Sequence, residues 1–446
     1  MKRDFIWSVI LLLKRKWLVL SFFILSLILV VAYAVTLFVL PGHITLLAGE
    51  DYTISIRSPL FLQAFTDSSM LKLTYMDHEA AHAFERPYKI ICTDEGQAEM
   101  EVKMLGFIPV KTIEVRSIPS QKVLVCGFPV GIRLKTSGVM IINVSSVVLN
   151  DGNKVSPAEK AGLLAGDIII SAGGKSIESI RDLISVIENS DGKDIPLTYI
   201  RQNSKYDTSV RPIKSAEDTQ YRIGIWVRDS SAGIGTLTFI DPESNVYGAL
   251  GHGISDIDTG SLLQVGSGQL MKSNIKSIKK GIKGTPGELE GDFLSMNQVI
   301  GDIELNSNFG VYGRLSDSFI HPKGRPISIG SHSLVRVGKA SILACVRGNT
   351  VEEFEIEIQK IAKWDLGSTK NMVIRITDRR LLEATGGIVQ GMSGSPIIQD
   401  GRLIGAVTHV FINDPERGYG VFIESMLEQA KSVAAKNYAH PKASGF

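Results

Sequence analysis

Residues 387–411 read GIVQGMSGSPIIQDGRLIGAVTHVF. Ser393 sits in a glycine-rich stretch between Gly391 and Gly394, with Ser395 and Pro396 close behind. A serine presented this way is a candidate nucleophile for acyl transfer. That chemistry also needs a base within reach and amide donors for the developing oxyanion. A strand-to-helix nucleophile elbow would require glycine at the position of Ser395 and a helix after it. The sequence instead continues with β-branched residues broken by Asp400-Gly401, which predicts two strands joined by a tight hairpin. Of the eight histidines (His43, His78, His82, His252, His321, His332, His409 and His440), His252 stands out. In VYGALGHGISDIDTG it lies between Gly251 and Gly253, where another chain segment can approach closely. The acid that would orient it is open. Asp256 and Asp258 are near enough in sequence to cap the turn. Asp302 lies on an apparent strand in VIGDIELNSNFG, and Asp378 ends an apolar strand in NMVIRITDRRLL. Order along the chain does not decide, because triads are defined by geometry.

The Gly-x-Ser-Gly-x-Pro pattern before a hairpin resembles the serine turn of chymotrypsin-like proteases, and histidine before serine is their order. There the amides of the serine and of the residue two before it form the oxyanion hole, which falls here on Gly391 and Ser393. Three longer stretches sharpen the resemblance: GIGTLTFIDPESNVYGALGHGISD, MVIRITDRRLLEATGGIVQGMSGSPIIQDGRLIGAVTHVFINDP and GYGVFIESML. Over residues 100 to 435 the chain resembles the stage IV sporulation protein B family, serine peptidases of endospore-forming bacteria. The resemblance implies His252, Asp378 and Ser393 as catalytic residues, with Asp302 in reserve, and no metal or organic cofactor. It further implies self-cleavage near the N-terminus and cleavage of a regulatory subunit of an intramembrane metalloprotease complex, leading to activation of a late sigma factor. The implied location is the forespore inner membrane, with release into the space between the forespore membranes. One departure from the broader chymotrypsin group is Met392 in place of an aspartate before the nucleophile. No buried carboxylate is available there to capture a newly freed N-terminus.

Residues 17–40 carry no charge, and as a helix they span about 36 Å, enough for a hydrocarbon core of about 30 Å. Lys2, Arg3, Lys14, Arg15 and Lys16 precede them against the single acidic Asp4. The positive-inside rule places residues 1–16 in the cytoplasm and the rest across the membrane. A cleavable signal peptide is the competing reading, and the apolar run is long for one. The 48 lysines and arginines nearly balance 46 aspartates and glutamates, so nothing argues for a nucleic-acid partner. Cys92, Cys126 and Cys345 are scattered and odd in number, against a disulfide framework.

Residues 41–120 alternate apolar and polar positions and predict a β-rich juxtamembrane module. Within them HEAAH, residues 78–82, fits the zinc-protease pattern with Glu79 as base. The flanking pattern is strand-like and Pro87 follows closely, so no metal site is assigned. Residues 121–212 contain SPAEKAGLLAGDIIISAGGKSIESIRDLISVIENS, which resembles a PDZ domain of the bacterial protease type. Such a domain binds by adding a peptide strand to its sheet edge. The resemblance assigns the carboxylate-binding loop to Val130, Gly131 and Ile132. Leu183 and Ile187 would line the pocket, on a helix whose apolar face also carries Ile180 and Ile184. A serine peptidase domain of short strands, a chymotrypsin-like double β-barrel, is expected over 220–435. Within it the strand GAVTHVF would pair with substrate backbone near Thr408 and His409. The expected fold class is thus mainly β, behind one transmembrane helix. The alternative reading is a membrane-tethered PDZ scaffold with an inactive peptidase-like domain. The expected partners are protein substrates, PDZ-bound peptides and the membrane.

Overall fold

The computed structural model describes residues 2–58, 60–76, 85–292, 299–316, 319, 325–362 and 367–439. The HEAAH segment lies outside them. Two compact units are present, Met1–Gln121 and Lys122–Phe446. The first opens with helix α1, Lys2–Val39, of which Val19–Val39 is long and apolar enough to cross a membrane. Behind it, His43–Leu47 runs parallel to Ile108–Ile118, which pairs with Gly96–Met104 and through it with Leu62–Phe65. A second sheet joins Asp51–Arg57, Glu85–Cys92 and Leu71–Tyr75. The alternation read in the sequence buries Met100, Val102, Ile113 and Val115 along one face.

The second unit is built on two six-stranded rings. Strands of the first are β1 (Pro129–Val144), β2 (Ile225–Ile240), β3 (Val246–Ala249), β4 (Val265–Lys272), β5 (Val299–Ser307) and β6 (Gly310–Leu315). They pair in the order β1-β4-β5-β6-β3-β2, and β2 returns to β1 to close the ring. Leu134, Leu237, Tyr247, Leu270, Ile303 and Val311 fill it. The second ring is a closed barrel of β7 (Gly338–Arg347), β8 (Thr350–Ile361), β9 (Met372–Ile376), β10 (Pro396–Gln399), β11 (Arg402–Phe411) and β12 (Asp414–Phe422). Its core includes Ile342, Phe354, Ile374, Met392, Ile397 and Phe422. The Asp400-Gly401 hairpin is present: Gln399 pairs with Arg402, and the two turn residues have φ of 51° and 74°, as a two-residue turn of the primed class requires.

β1 is sixteen residues long and belongs to two bodies. Residues 130–136 lie between β2 and β4 in the first ring. Beyond them, Val139 and Met140 pair with Ile169 and Ile168 of the PDZ sheet, which continues through Ile195–Arg201 to Ser204–Val210. The start of β2, Ile225–Arg228, completes that sheet on the other side of β1. Helix α2, Ile180–Glu188, turns Leu183 and Ile187 into the PDZ core and is capped by Ser179, whose hydroxyl accepts from the Asp182 amide. The aspartate of the AGD motif, Asp167, is buried and accepts from Leu164 N and from two nitrogens of Arg201, each at 2.7 Å. Because the PDZ sheet borrows β1 and β2, it is not a bead on a linker.

Candidate active site

A cleft of about 460 Å³ lies where the two rings meet, with Gly391, Ser393, Thr408 and His409 on one wall and Ser231–Ile234, Leu250 and His252 on the other. The loop carrying His252 starts from Leu250 and Gly251, both in left-handed backbone (φ 70° and 69°). For leucine that conformation is uncommon and stays only where the surroundings impose it. His252 Nδ1 lies 2.9 Å from the Gly253 carbonyl. A carbonyl only accepts, so Nδ1 carries the proton and Nε2 the lone pair, the tautomer a general base needs. Burial holds the His252 imidazole below its ordinary pKa, against the opposing pull of that carbonyl. The His409 ring packs 4.8 Å from it, tilted by 34°. Burial, His252 and Lys370 lower the pKa of His409 to about 4, and its buried Nδ1 has no partner among the described residues.

Ser393 Oγ donates to the Thr408 carbonyl at 2.7 Å. Around it the amides of Gln390, Met392, Gly394 and Ser395 each donate to a backbone carbonyl, whereas no described group accepts from the amides of Gly391 or Ser393. Those are the two amides expected to bind an oxyanion. Gly391 reaches this geometry at φ 97°. β11 keeps β10 as a neighbour through Ala406, and residues 408–409 bulge between the pairings of Val407 with Gly420 and Val410 with Gly418. On the cleft side the strand edge from Thr408 onward has no paired strand among the described residues.

The expected acids are elsewhere. Among the described residues lining the cleft there is no carboxylate. Asp378 is the N-cap of helix α3, Arg379–Thr385, where it accepts from the Arg380 amide at 2.9 Å and pairs with the Arg380 guanidinium at 2.8 Å. Arg380 holds its carboxyl below the usual range. Asp302 is exposed on β5 between Gln269 and Arg314. Asp256 caps its own turn by accepting from Asp258 and Thr259 amides, and it pairs with Arg228. The structure therefore brings His252, Ser393 and Gly391 together and leaves Asp378 apart from them.

The PDZ assignment needs a correction. Val130, Gly131 and Ile132 are paired on both edges, with Gly235, Ile234 and Gly233 on one side and Lys272, Met271 and Leu270 on the other. Val130 and Ile132 are core residues of the first ring. No edge remains there for a peptide. The open edge lies at Ile223–Val227, which faces Ile180, Leu183, Ile184 and Ile187 of α2 across a groove of about 460 Å³. The amides of Ile223 and Gly224 donate to no described acceptor. Ile223-Gly224-Ile225 follows Arg222, in the stretch expected from the sequence to open the peptidase domain rather than to serve the PDZ. Its apolar-glycine-apolar triplet was the available signal.

Fold and cleft define a two-ring peptidase architecture of the chymotrypsin kind that carries an inserted PDZ domain. Residues 219–427 match the family described as SpoIVB peptidase S55, and residues 148–201 match the PDZ domain family. Residues 219–427 are thus similar to the SpoIVB serine peptidases, and the segment that resembles a PDZ domain precedes them. It is also similar to serine protease HTRA1 of Xenopus tropicalis, 36% identical over 117 residues, covering 26% of this chain and 22% of that protein. Three curated relatives that it matches are spanned over 17%, 22% and 32% of their own length. Among solved structures, the active form of the Rv3671c protease from M. tuberculosis aligns at 14% identity and TM-score 0.26, over 46% of this chain and 74% of that one. The PDZ domain of an SdrC-like protein from Listeria monocytogenes aligns at 22% identity and TM-score 0.17, over 20% and 87%.

Proposed function

We propose that this chain is a membrane-anchored serine endopeptidase in which Ser393 is the nucleophile and His252 the base. The observation that carries the reading is a single cleft holding His252, Ser393 and two unpaired amides. In the resting chain the Ser393 hydroxyl is held by Thr408 O. An extended substrate lying along the open edge of β11 offers its own amide to that carbonyl, which frees Ser393 to turn to His252 Nε2. Ser393 Oγ then attacks the peptide carbonyl as Nε2 takes its proton, and the amides of Gly391 and Ser393 donate to the oxyanion. Protonated His252 gives the proton to the leaving amine, and water releases the acyl group by the same route in reverse. The acid of a triad is Asp378 by family resemblance, and reaching His252 requires it to leave Arg380. The Gly253 carbonyl supports Nδ1 meanwhile.

The sequence resemblance and the apolar α1 support a single-pass protein of the forespore inner membrane with its N-terminus in the cytoplasm. Its substrates on this reading are the chain itself and a regulatory subunit of an intramembrane protease complex, with peptide segments held in the PDZ groove. Wild type and Ser393→Ala, expressed in a host that lacks sporulation genes and probed by immunoblot, test the core of this. Shorter products are expected from wild type alone. The same fragments from Ser393→Ala would overturn the reading and leave a binding scaffold.

A further inference from the structure

The loop that would hold the oxyanion contains two glycines, and its amides face the cleft only while its peptide planes stay put. Gly391 has the conformational freedom to turn the plane that follows it, which carries the Gly391 carbonyl and the Met392 amide, and a turn there would displace the Gly391 and Ser393 amides on either side. In this chain Met392, wholly buried in the apolar core of the second ring, precedes the nucleophile, so no carboxylate holds the loop from beneath. Part of the restraint comes from the opposite ring. Thr236 on β2 is 3% exposed. Its hydroxyl donates to the Gly391 carbonyl at 2.8 Å, and its amide donates to the Ser393 carbonyl at 2.9 Å. Those carbonyls belong to the peptide planes on either side of Met392–Ser393, the plane that contains the Ser393 amide. The plane between is held directly, by the Ser395 amide donating to Met392 O at 2.9 Å, and Thr236 fixes the planes on both sides of it. The carbonyl of Thr236 in turn accepts from Leu250 N, two residues before His252. One residue thus ties the oxyanion loop to the loop of the base.

Resting on the peptidase reading above, we propose that Thr236 is the positioning residue that holds the Gly391–Ser393 loop in its oxyanion-binding form, through its side-chain hydroxyl. Thr238, whose hydroxyl donates to Gly394 O at 2.8 Å, extends the same clamp by one step. Thr236→Val keeps the shape and the backbone bond and removes only the hydroxyl, whereas Thr236→Ser keeps it. The full chain in detergent is assayed with a peptide substrate, with a peptide boronate that mimics the tetrahedral intermediate, and with a fluorophosphonate that labels the active serine. Thr236→Val is expected to lose about 10- to 100-fold in kcat at nearly constant KM, and boronate affinity is expected to fall by a similar factor. Binding of the amine-side product, which places no carboxylate in the oxyanion hole, should not change, and Thr236→Ser should recover most of the loss. Wild-type kcat and boronate affinity in Thr236→Val would overturn the proposal. Equal loss of product and boronate binding would also overturn it, because that marks a merely structural role. If wild type takes no label at Ser393, the peptidase reading falls and this proposal falls with it. Equal labelling of wild type and Thr236→Val removes the proposal alone.

Discussion

Gly394→Ala is the substitution whose effect the structure sets most directly. Gly394 has φ 95°, and a Cβ built there would lie 2.1 Å from Thr236 O and 2.6 Å from Leu250 N. Both neighbours are backbone, so no side-chain rotation relieves the contact. β2 and the His252 loop would have to move away from the nucleophile loop. Gly401, in the hairpin turn, also has positive φ (74°), and nothing lies within 4 Å of its Cβ position. Gly401→Ala should therefore cost only the backbone strain of an L-residue in left-handed space, about 1–2 kcal/mol. Gly394→Ala should add an overpacking cost of about 1–3 kcal/mol, for a total of about 2–5 kcal/mol. Stability is read by urea unfolding in a Ser393→Ala background, which prevents self-cleavage, and turnover is read with the serine intact. Gly401→Ala should keep its activity, whereas Gly394→Ala should lose it along with the separation of the two loops. If Gly394→Ala is no less stable than Gly401→Ala and still cleaves peptide, β2 does not press on this loop and the argument fails.

The remaining predictions concern His252 and Asp378. Only neutral His252 accepts a proton, and burial lowers its pKa, so the acid limb of kcat/KM should lie below the ordinary imidazole value of about 6.5. The same depression means that the stability His252 contributes is present above that value and is lost as pH falls through the folded pKa. A limb above pH 6.5 would instead reveal a carboxylate beside the imidazolium in the working enzyme. Asp378→Ala should destabilise the peptidase domain by about 1–2 kcal/mol through the lost cap of α3, and Asp378→Asn by much less, since asparagine caps nearly as well. Urea midpoints check this, and kcat of the Asn variant separates capping from service to His252.

Much of the site was legible because its signals are local. The Gly-x-Ser-Gly turn, the Asp-Gly hairpin and the glycines around His252 specify backbone within a few residues of themselves. The apolar face of α2 repeats within three turns, and so Ile180, Leu183, Ile184 and Ile187 could be put on one face from spacing, whereas the pocket role of Leu183 and Ile187 came from the resemblance to PDZ domains. Strand partners are another matter. The alternation in residues 129–144 announces a strand, yet the same alternation suits any neighbour that can bury its apolar side. Tertiary packing alone put Val130–Ile132 inside a ring and left Ile223–Val227 as the edge facing α2. Asp378 shows the same limit in electrostatics. An aspartate before Arg379-Arg380 and a helix satisfies a cap as readily as a triad, and only its neighbours in space decide between them. Thr236 lies 157 residues before Ser393 and matches no motif. Its two hydrogen bonds exist because two separately closed rings meet there, and contacts between distant strands leave no periodic trace in the chain.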